Sequence, residues 1–300
     1  MMKKNKVYCI IVTYNAMKWI ERCLNTIQED HVQLEIIVID NNSTDETVAF
    51  IKKNFPSIQI FPQQENLGFS GANNLGYELA KKNNADFVYL LNQDTISYPN
   101  NIEKLIKIYD SYRSIGVVSP LHLNDDGNKL DKKFEEYITS GSCPHYISDI
   151  SLGKTKEFYQ IGFVNAAAWL IKVETIQSLG GLFSKAFYHY GEDSNFLSRL
   201  RFHKKICVIV PNVFIHHLRE EREGKMSTAF ENRKLSIKKV EIMTNPNISY
   251  KKAMSNTFRY AGQQLFRMNI KGACELFSYP LFHYHKINKF RASYKSGSIL

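Results

Sequence analysis

Short apolar runs that stop abruptly in polar residues recur along the first third of the chain. Residues 7–13 (VYCIIVT), 34–39 (LEIIVI), 58–61 and 87–91 (FVYLL) are rich in branched and aromatic side chains without alternation. That is the pattern of strands buried on both faces. Between the first two runs, Trp19, Ile20, Cys23, Leu24 and Ile27 fall at helical spacing. Ser43-x-x-Glu46 has the form of a capping box, predicting a helix through about Asn54. A glycine-containing loop at residues 66–74 leads into a helix ending near Asn83. The alternation β-α-β-α-β-α-β predicts an α/β fold with a mostly parallel central sheet and helices on both faces.

The pattern continues with a helix over 101–113 and a strand over 116–119. Residues 122–160 are polar and irregular and predict no ordered elements. Residues 163–173 are apolar and rich in small side chains, and 175–179 followed by Gly180-Gly181 reads as a helix with a glycine stop. An aromatic stretch, 183–190, precedes Gly191-Glu192-Asp193, which opens a helix with Phe196, Leu197 and Leu200 on one face. A buried strand over 206–210 is followed by His216-His217.

In open parallel sheets, ligands sit beyond the carboxyl ends of the strands. Asp40, the loop at 66–73 and the Asn92-Gln93-Asp94 stretch all fall at such ends, so they should converge on one edge. Asn92 and Asp94 offer two hard oxygen ligands where a metal-bound phosphate can be held; otherwise they form a plain polar turn. Tyr14-Asn15-Ala16 after the first strand replaces G-x-G-x-x-G, and neither a P-loop nor a G-x-S-x-G elbow occurs. What remains is a nucleotide site without a glycine cradle, in which a metal must neutralise the phosphates.

Composition narrows the class. Three hundred residues, 44% hydrophobic and 23% charged, are ordinary for one large folded domain or a domain with an appendage. No run reaches the roughly 18 apolar residues of a transmembrane helix, and the basic, apolar N-terminus reads as a first strand rather than a signal peptide. Five scattered cysteines without a C-x-x-C pair argue against a disulfide framework or structural zinc and for a reducing cytoplasm. The net charge of +10 is unevenly placed: residues 1–217 balance at 23 Lys+Arg against 23 Asp+Glu, and residues 218–300 hold 16 against 6. The shift divides a domain at 1–217 from a basic, aromatic, mainly helical region at 218–300.

The motifs IIVTYNA, VIDNNSTDET, NLGFSGANN, NQD and GEDSNFLSRL, in this order and spacing, resemble the family 2 glycosyltransferases of GT-A fold, most nearly their rhamnosyltransferase-like group. The resemblance covers residues 6–217. It implies that Thr13, Tyr14 and Asn15 line the nucleotide base pocket and that Asp40 accepts a hydrogen bond from the uracil or thymine ring; alternatively Asp40 caps the turn before Ser43. Asn66, Gly68 and Gly71 would let the backbone approach the nucleotide-sugar, or form an ordinary glycine turn. Asp94 would contact Mg2+ or Mn2+ on the diphosphate, with Asn92 in the place where the family's D-x-D motif has its first acid. Asp193 would be the general base of an inverting displacement, its pKa raised by Glu192; the bland reading is that both acids complement a helix N-terminus. His216 or His217 would supply a further metal ligand, or be structural. Trp169 and the aromatics at 183–190 stack on a sugar or, for most of them, pack the core.

The resemblance thus implies a nucleotide-sugar donor and a saccharide acceptor, lipid-linked in a growing surface polysaccharide. The tail interleaves Phe258, Tyr260, Phe266 and Phe282 with Arg259, Arg267, Lys271 and Lys289, which suits a membrane surface; dimer packing is the rival. A nucleic-acid-binding protein would leave Asp40, Asp94 and Asp193 without a purpose, so no nucleic-acid partner is expected. A catalytically idle homologue is hinted at by Asn92 alone.

Overall fold

The computed structural model describes residues 4–218 and 228–298. In chain order, β1 (Lys6–Thr13), α1 (Ile20–Asn25), β2 (Gln33–Asp40), α2 (Thr47–Asn54), β3 (Gln59–Pro62), α3 (Gly68–Lys82) and β4 (Phe87–Asn92) form the expected alternation. There follow β5 (Thr95–Ile96), α4 (Asn101–Ser111), β6 (Ile115–Leu123), α5 (Lys132–Tyr137), α6 (Tyr146–Ser151) and β7 (Tyr159–Gln160). Then come β8 (Ala168–Lys172), α7 (Val173–Ser178), α8 (Glu192–Phe202) and β9 (Ile206–His217). The tail is helical: α9 (Thr228–Thr244), α10 (Tyr250–Phe266), α11 (Ile270–Phe282) and α12 (Tyr284–Ser296). The start of the basic region, residues 219–227, lies outside the described residues.

The strands make one sheet in the order β3-β2-β1-β4-β8-β6-β9-β5, with β7 beside β9. β1 runs parallel to β2 and β4, and β2 to β3. Apolar residues of β4 divide between two cores: Val88 and Leu90 join one cluster, Phe87, Tyr89 and Leu91 the other. That two-sided burial is why these strands lack alternation.

The expected mostly parallel sheet holds, since β6 also runs parallel to β9, but antiparallel strands are mixed into it beyond β4. β8 inserts antiparallel between β4 and β6, and β5 and β7 pair antiparallel with β9. The stretch 163–173 concealed this strand because, as a central strand buried on both faces, it carries no polar boundary inside its apolar run. Trp169 within it is fully buried and packs on Phe183 and Phe196, so its role is core. Two local readings also change. The capping box does not form: α2 starts at Thr47, whose amide and hydroxyl donate to Asp45 Oδ1, while the Ser43 hydroxyl donates to Asp40. Most of the glycine loop is already helix, since α3 begins at Gly68.

The tail docks on α8. The Tyr294 hydroxyl is 2.6 Å from Ser184 Oγ, and His203 Nε2 is 2.9 Å from the Tyr294 carbonyl. Arg291 donates to the carbonyls of Met243, Asn245 and Ile248. Arg199 on α8 is fully buried and donates to the carbonyls of Leu179, Gly181 and Leu182, with its guanidinium over the rings of Phe196 and Tyr294. Burial pulls its pKa down to about 10, which leaves it charged at neutral pH. Arg199→Met should therefore strand three carbonyls and cost about 3 kcal/mol, measured as a fall in the urea midpoint of unfolding.

Candidate active site

The floor of the site is the edge where β1, β2 and β4 end together. Register places Thr13 beside Asp40 and Val12 beside Asn92. The Thr13 hydroxyl donates to Asp40 Oδ1 at 2.7 Å, and Ser43 adds its hydroxyl at 2.6 Å and its amide at 2.9 Å. Thr13 is 0% and Asp40 1% exposed. A buried carboxylate needs such donors, and here they come from inside the turn. Asp40 therefore caps the turn before Ser43, and Thr13 is buried beside it. Tyr14 and Asn15 remain open. Tyr14 is half exposed, and its amide donates to Gln93 Oε1 at 2.8 Å. Asn15 has φ +48°, donates its amide to Ser43 Oγ, and accepts on its side chain from the Thr44 amide. Sequence reasoning passed over Gln93, although it lies inside the NQD stretch that was singled out.

The glycines of the third loop are packed closely against the protein itself. Gly68 has φ +71°, and a Cβ there would lie 2.3 Å from the Tyr188 carbonyl oxygen. A Cβ on Gly71 would be 3.1 Å from that of Leu67. Asn66 Oδ1 accepts from the Gly68 amide, and the Asn66 carbonyl accepts from the Tyr188 hydroxyl at 2.5 Å. The backbone at Gly68 is thus closely approached by Tyr188. The Asn74 side chain exchanges two hydrogen bonds with the Phe183 backbone, both 2.8 Å, and the Ser70 hydroxyl donates to the Phe187 carbonyl at 2.5 Å. This strap seats the aromatic stretch on α3 and delivers the acids at the start of α8.

Asp94 follows β4 directly. Its Oδ1 lies 3.5 Å from His217 Nε2, which is also 3.5 Å from Asn92 Nδ2. His217 is buried, with no hydrogen-bond partner for Nδ1, and its ring stands edge-on to His122. His216 does not join them: its Nε2 meets the Tyr98 hydroxyl at 2.7 Å and its Nδ1 lies 2.8 Å from the Asp125 carbonyl. Successive strand residues point to opposite faces, so β9 can offer only one of its two histidines. Among the described residues no group of three or more His, Cys, Asp or Glu side chains is arranged to hold a metal. Asp94 and His217 nevertheless fit a Mg2+ or Mn2+ site of the kind that takes its remaining ligands from phosphate and water. Asn92 presents a neutral amide to His217.

Glu192 and Asp193 open α8 behind Gly191, which has φ +91°. Burial raises the Asp193 carboxyl to about 6, against hydrogen bonds from the Ser194 and Ala166 amides, and Glu241 adds to the rise. Burial, and secondly the charge of Asp193, raises Glu192 to about 7. The like charge on Asp193 thus comes from Glu241 on α9, a residue outside every recognisable motif. Ala166 links the acids to the floor, because the carbonyl of its neighbour Ala167 accepts from the Asn92 amide at 2.9 Å.

The strand ends thus carry the Asp94–His217 pair, and α8 opens with a second acidic pair, Glu192 and Asp193. The sequence model of Glycosyl transferase family 2 matches residues 8–180, and the chain belongs to that family. It is 34% identical over 133 residues to the glycosyltransferase SunS of Bacillus subtilis, a match covering 41% of this chain and 30% of SunS. The chain therefore spans less than a third of that relative. It is 22% identical to the N-acetylglucosaminyl-diphospho-decaprenol L-rhamnosyltransferase of Mycobacterium tuberculosis, over 72% of this chain and 77% of that one. The solved structure of GalNAc-T7 with UDP, GalNAc and Mn2+ matches at a TM-score of 0.68 and 15% identity, over 99% of this chain and 56% of that one. The fold is that of the GT-A glycosyltransferases.

Glu192 makes stability depend on pH. Its carboxyl titrates higher when folded than unfolded, so the folded state binds the proton more tightly and loses stability as pH rises from about 4.5 through 7. Glu192→Gln should therefore unfold later than wild type near pH 8, by roughly 1–2 kcal/mol, and show no such gain near pH 5 in thermal melts.

Proposed function

We propose that the protein is a metal-dependent, inverting glycosyltransferase of the cytoplasm. It moves a sugar from dTDP-rhamnose or a UDP-hexose to a hydroxyl of a growing, lipid-linked surface polysaccharide. The observation that carries this reading is the short backbone bridge of Ala166 and Ala167 between the Asp193 carboxylate and the end of β4. It brings a base to the edge where Asp94 and His217 meet. The rhamnosyl donor and lipid-linked acceptor are supported by the mycobacterial relative's own activity, and the compartment by five free cysteines.

Asp94 and His217 would hold the cation, which when bound supplies charge stabilisation to the departing diphosphate. Tyr14 offers its exposed ring to the base. Asp193, at about 6, is ionised at neutral pH yet more basic than an ordinary carboxylate. It accepts the proton of the acceptor hydroxyl as that oxygen bonds to the anomeric carbon and the bond from that carbon to the diphosphate breaks. Asp40 and Gln93 position the turns on either side of Tyr14.

Asp193→Asn should lower kcat by about 10²–10⁴-fold and leave calorimetric affinity for the nucleoside diphosphate unchanged; transfer near the wild-type rate would remove Asp193 as base. In the wild type, kcat/KM should fall as pH drops below about 6, where Asp193 protonates, and this limb should vanish in the variant. Asp94→Ala and His217→Ala should each abolish the Mn2+-dependent part of nucleoside diphosphate affinity, whereas His216→Ala should preserve it. Equal losses at both histidines would contradict the pairing.

A further inference from the structure

Among the described residues, one helix of the tail carries two apolar faces, one covered and one largely exposed. On α11, Gly272, Ala273, Leu276 and Pro280 are buried, with Leu276 in a cluster with Leu235 of α9 and Ala261 of α10. A second face, about a third of a turn round, carries Ile270, Cys274, Phe277 and Leu281, spaced i, i+4, i+7 and i+11, which is one stripe along a helix. Ile270, Cys274 and Leu281 are exposed, Ile270 by 63% and Leu281 by 67%, while Phe277, 39% exposed, packs one side of its ring on Phe258. At the ends of the stripe stand Phe266, 92% exposed, and Met268 and Phe282, each 83%. A helix that is apolar all round belongs in a core, and a continuous uncovered apolar face marks an interaction surface.

Charge selects what covers it. Arg267 and Lys271 flank the stripe at one end, and Lys286 and Lys289 follow it at the other. The single carboxylate side chain among residues 242–300 is Glu275, and it is engaged by Lys239. A second copy packed on this face about a twofold axis would set cation against cation. An anionic bilayer accepts both features, with the apolar face in the acyl boundary and the basic groups at the phosphates. No helix among the described residues is long and apolar enough to cross a membrane, so α11 would lie in the plane of the surface.

We propose that α11 is a membrane-surface helix that seats the protein on anionic lipid through Ile270, Phe277, Leu281 and Phe282, with Arg267 and Lys271 at the headgroups. The inference goes beyond the proposed reaction and stands whichever donor or acceptor is used. The test is sedimentation of the full chain with phosphatidylcholine vesicles, with and without phosphatidylglycerol. Wild type should pellet with the anionic vesicles and remain in solution with the neutral ones. Ile270→Ser/Leu281→Ser/Phe282→Ser should lower partitioning by at least about tenfold, and Arg267→Glu/Lys271→Glu should remove the preference for anionic lipid. Both variants should keep wild-type melting curves and nucleotide affinity, which separates this result from any failure of the proposed reaction. Wild type left in the supernatant, or serine and wild-type proteins pelleting alike, would overturn the proposal. So would a dimer in light scattering that the serine substitutions abolish while vesicles capture nothing, which assigns the face to a second copy.

Discussion

The level at which β1, β2 and β4 end decides what the rest of this molecule can do. Their parallel register sets Thr13 beside Asp40 and Val12 beside Asn92, and the interior of each strand is buried on both faces. At this end of the sheet, polar chemistry therefore gathers where the strands stop. A slip of one residue would turn each strand's side chains to the opposite face and put Asp40 out of reach of Thr13. Three short turns with little structure of their own are held by this common edge. Asp40 then knits two of them together with Ser43, and Gln93 knits the third to Tyr14.

The acids above the edge are brought there by a strap rather than by the sheet. Asn74, Ser70 and Gly68 on α3 hold residues 183–188 by two-way hydrogen bonds and a close backbone approach. That placement buries Glu192 and partly buries Asp193, and desolvation raises both carboxyls. The same burial that makes Asp193 a stronger base withholds from Glu192 Oε2 any hydrogen-bond partner. Stability at alkaline pH is reduced by that burial.

The basic tail is part of this arrangement. Ile237 of α9 occupies the space that a side chain at Gly191 would need, and Glu241 of the same helix adds to the pKa of Asp193. Tyr294 and Arg199 tie α12 to α8. A helical region that composition alone sets apart as an appendage thus supports the helix that carries the acids, while its outermost helix turns an apolar face away from the domain.

By itself, the sequence determined the buried strands, their alternation with helices, the edge on which Asp40, Asp94 and the glycine loop gather, and the family. Each of these is written locally: an apolar run records burial, and an abrupt polar stop records where a strand leaves the core. Only the tertiary structure decided that β8 runs antiparallel through the middle of the sheet and that His217 rather than His216 meets Asp94. It also decided that Thr13 donates to Asp40 across the strands, and that Gly68 packs against Tyr188. These depend on partners tens of residues or more away in the chain, and no local pattern records which face of a strand, or which side of a glycine, a distant segment will occupy.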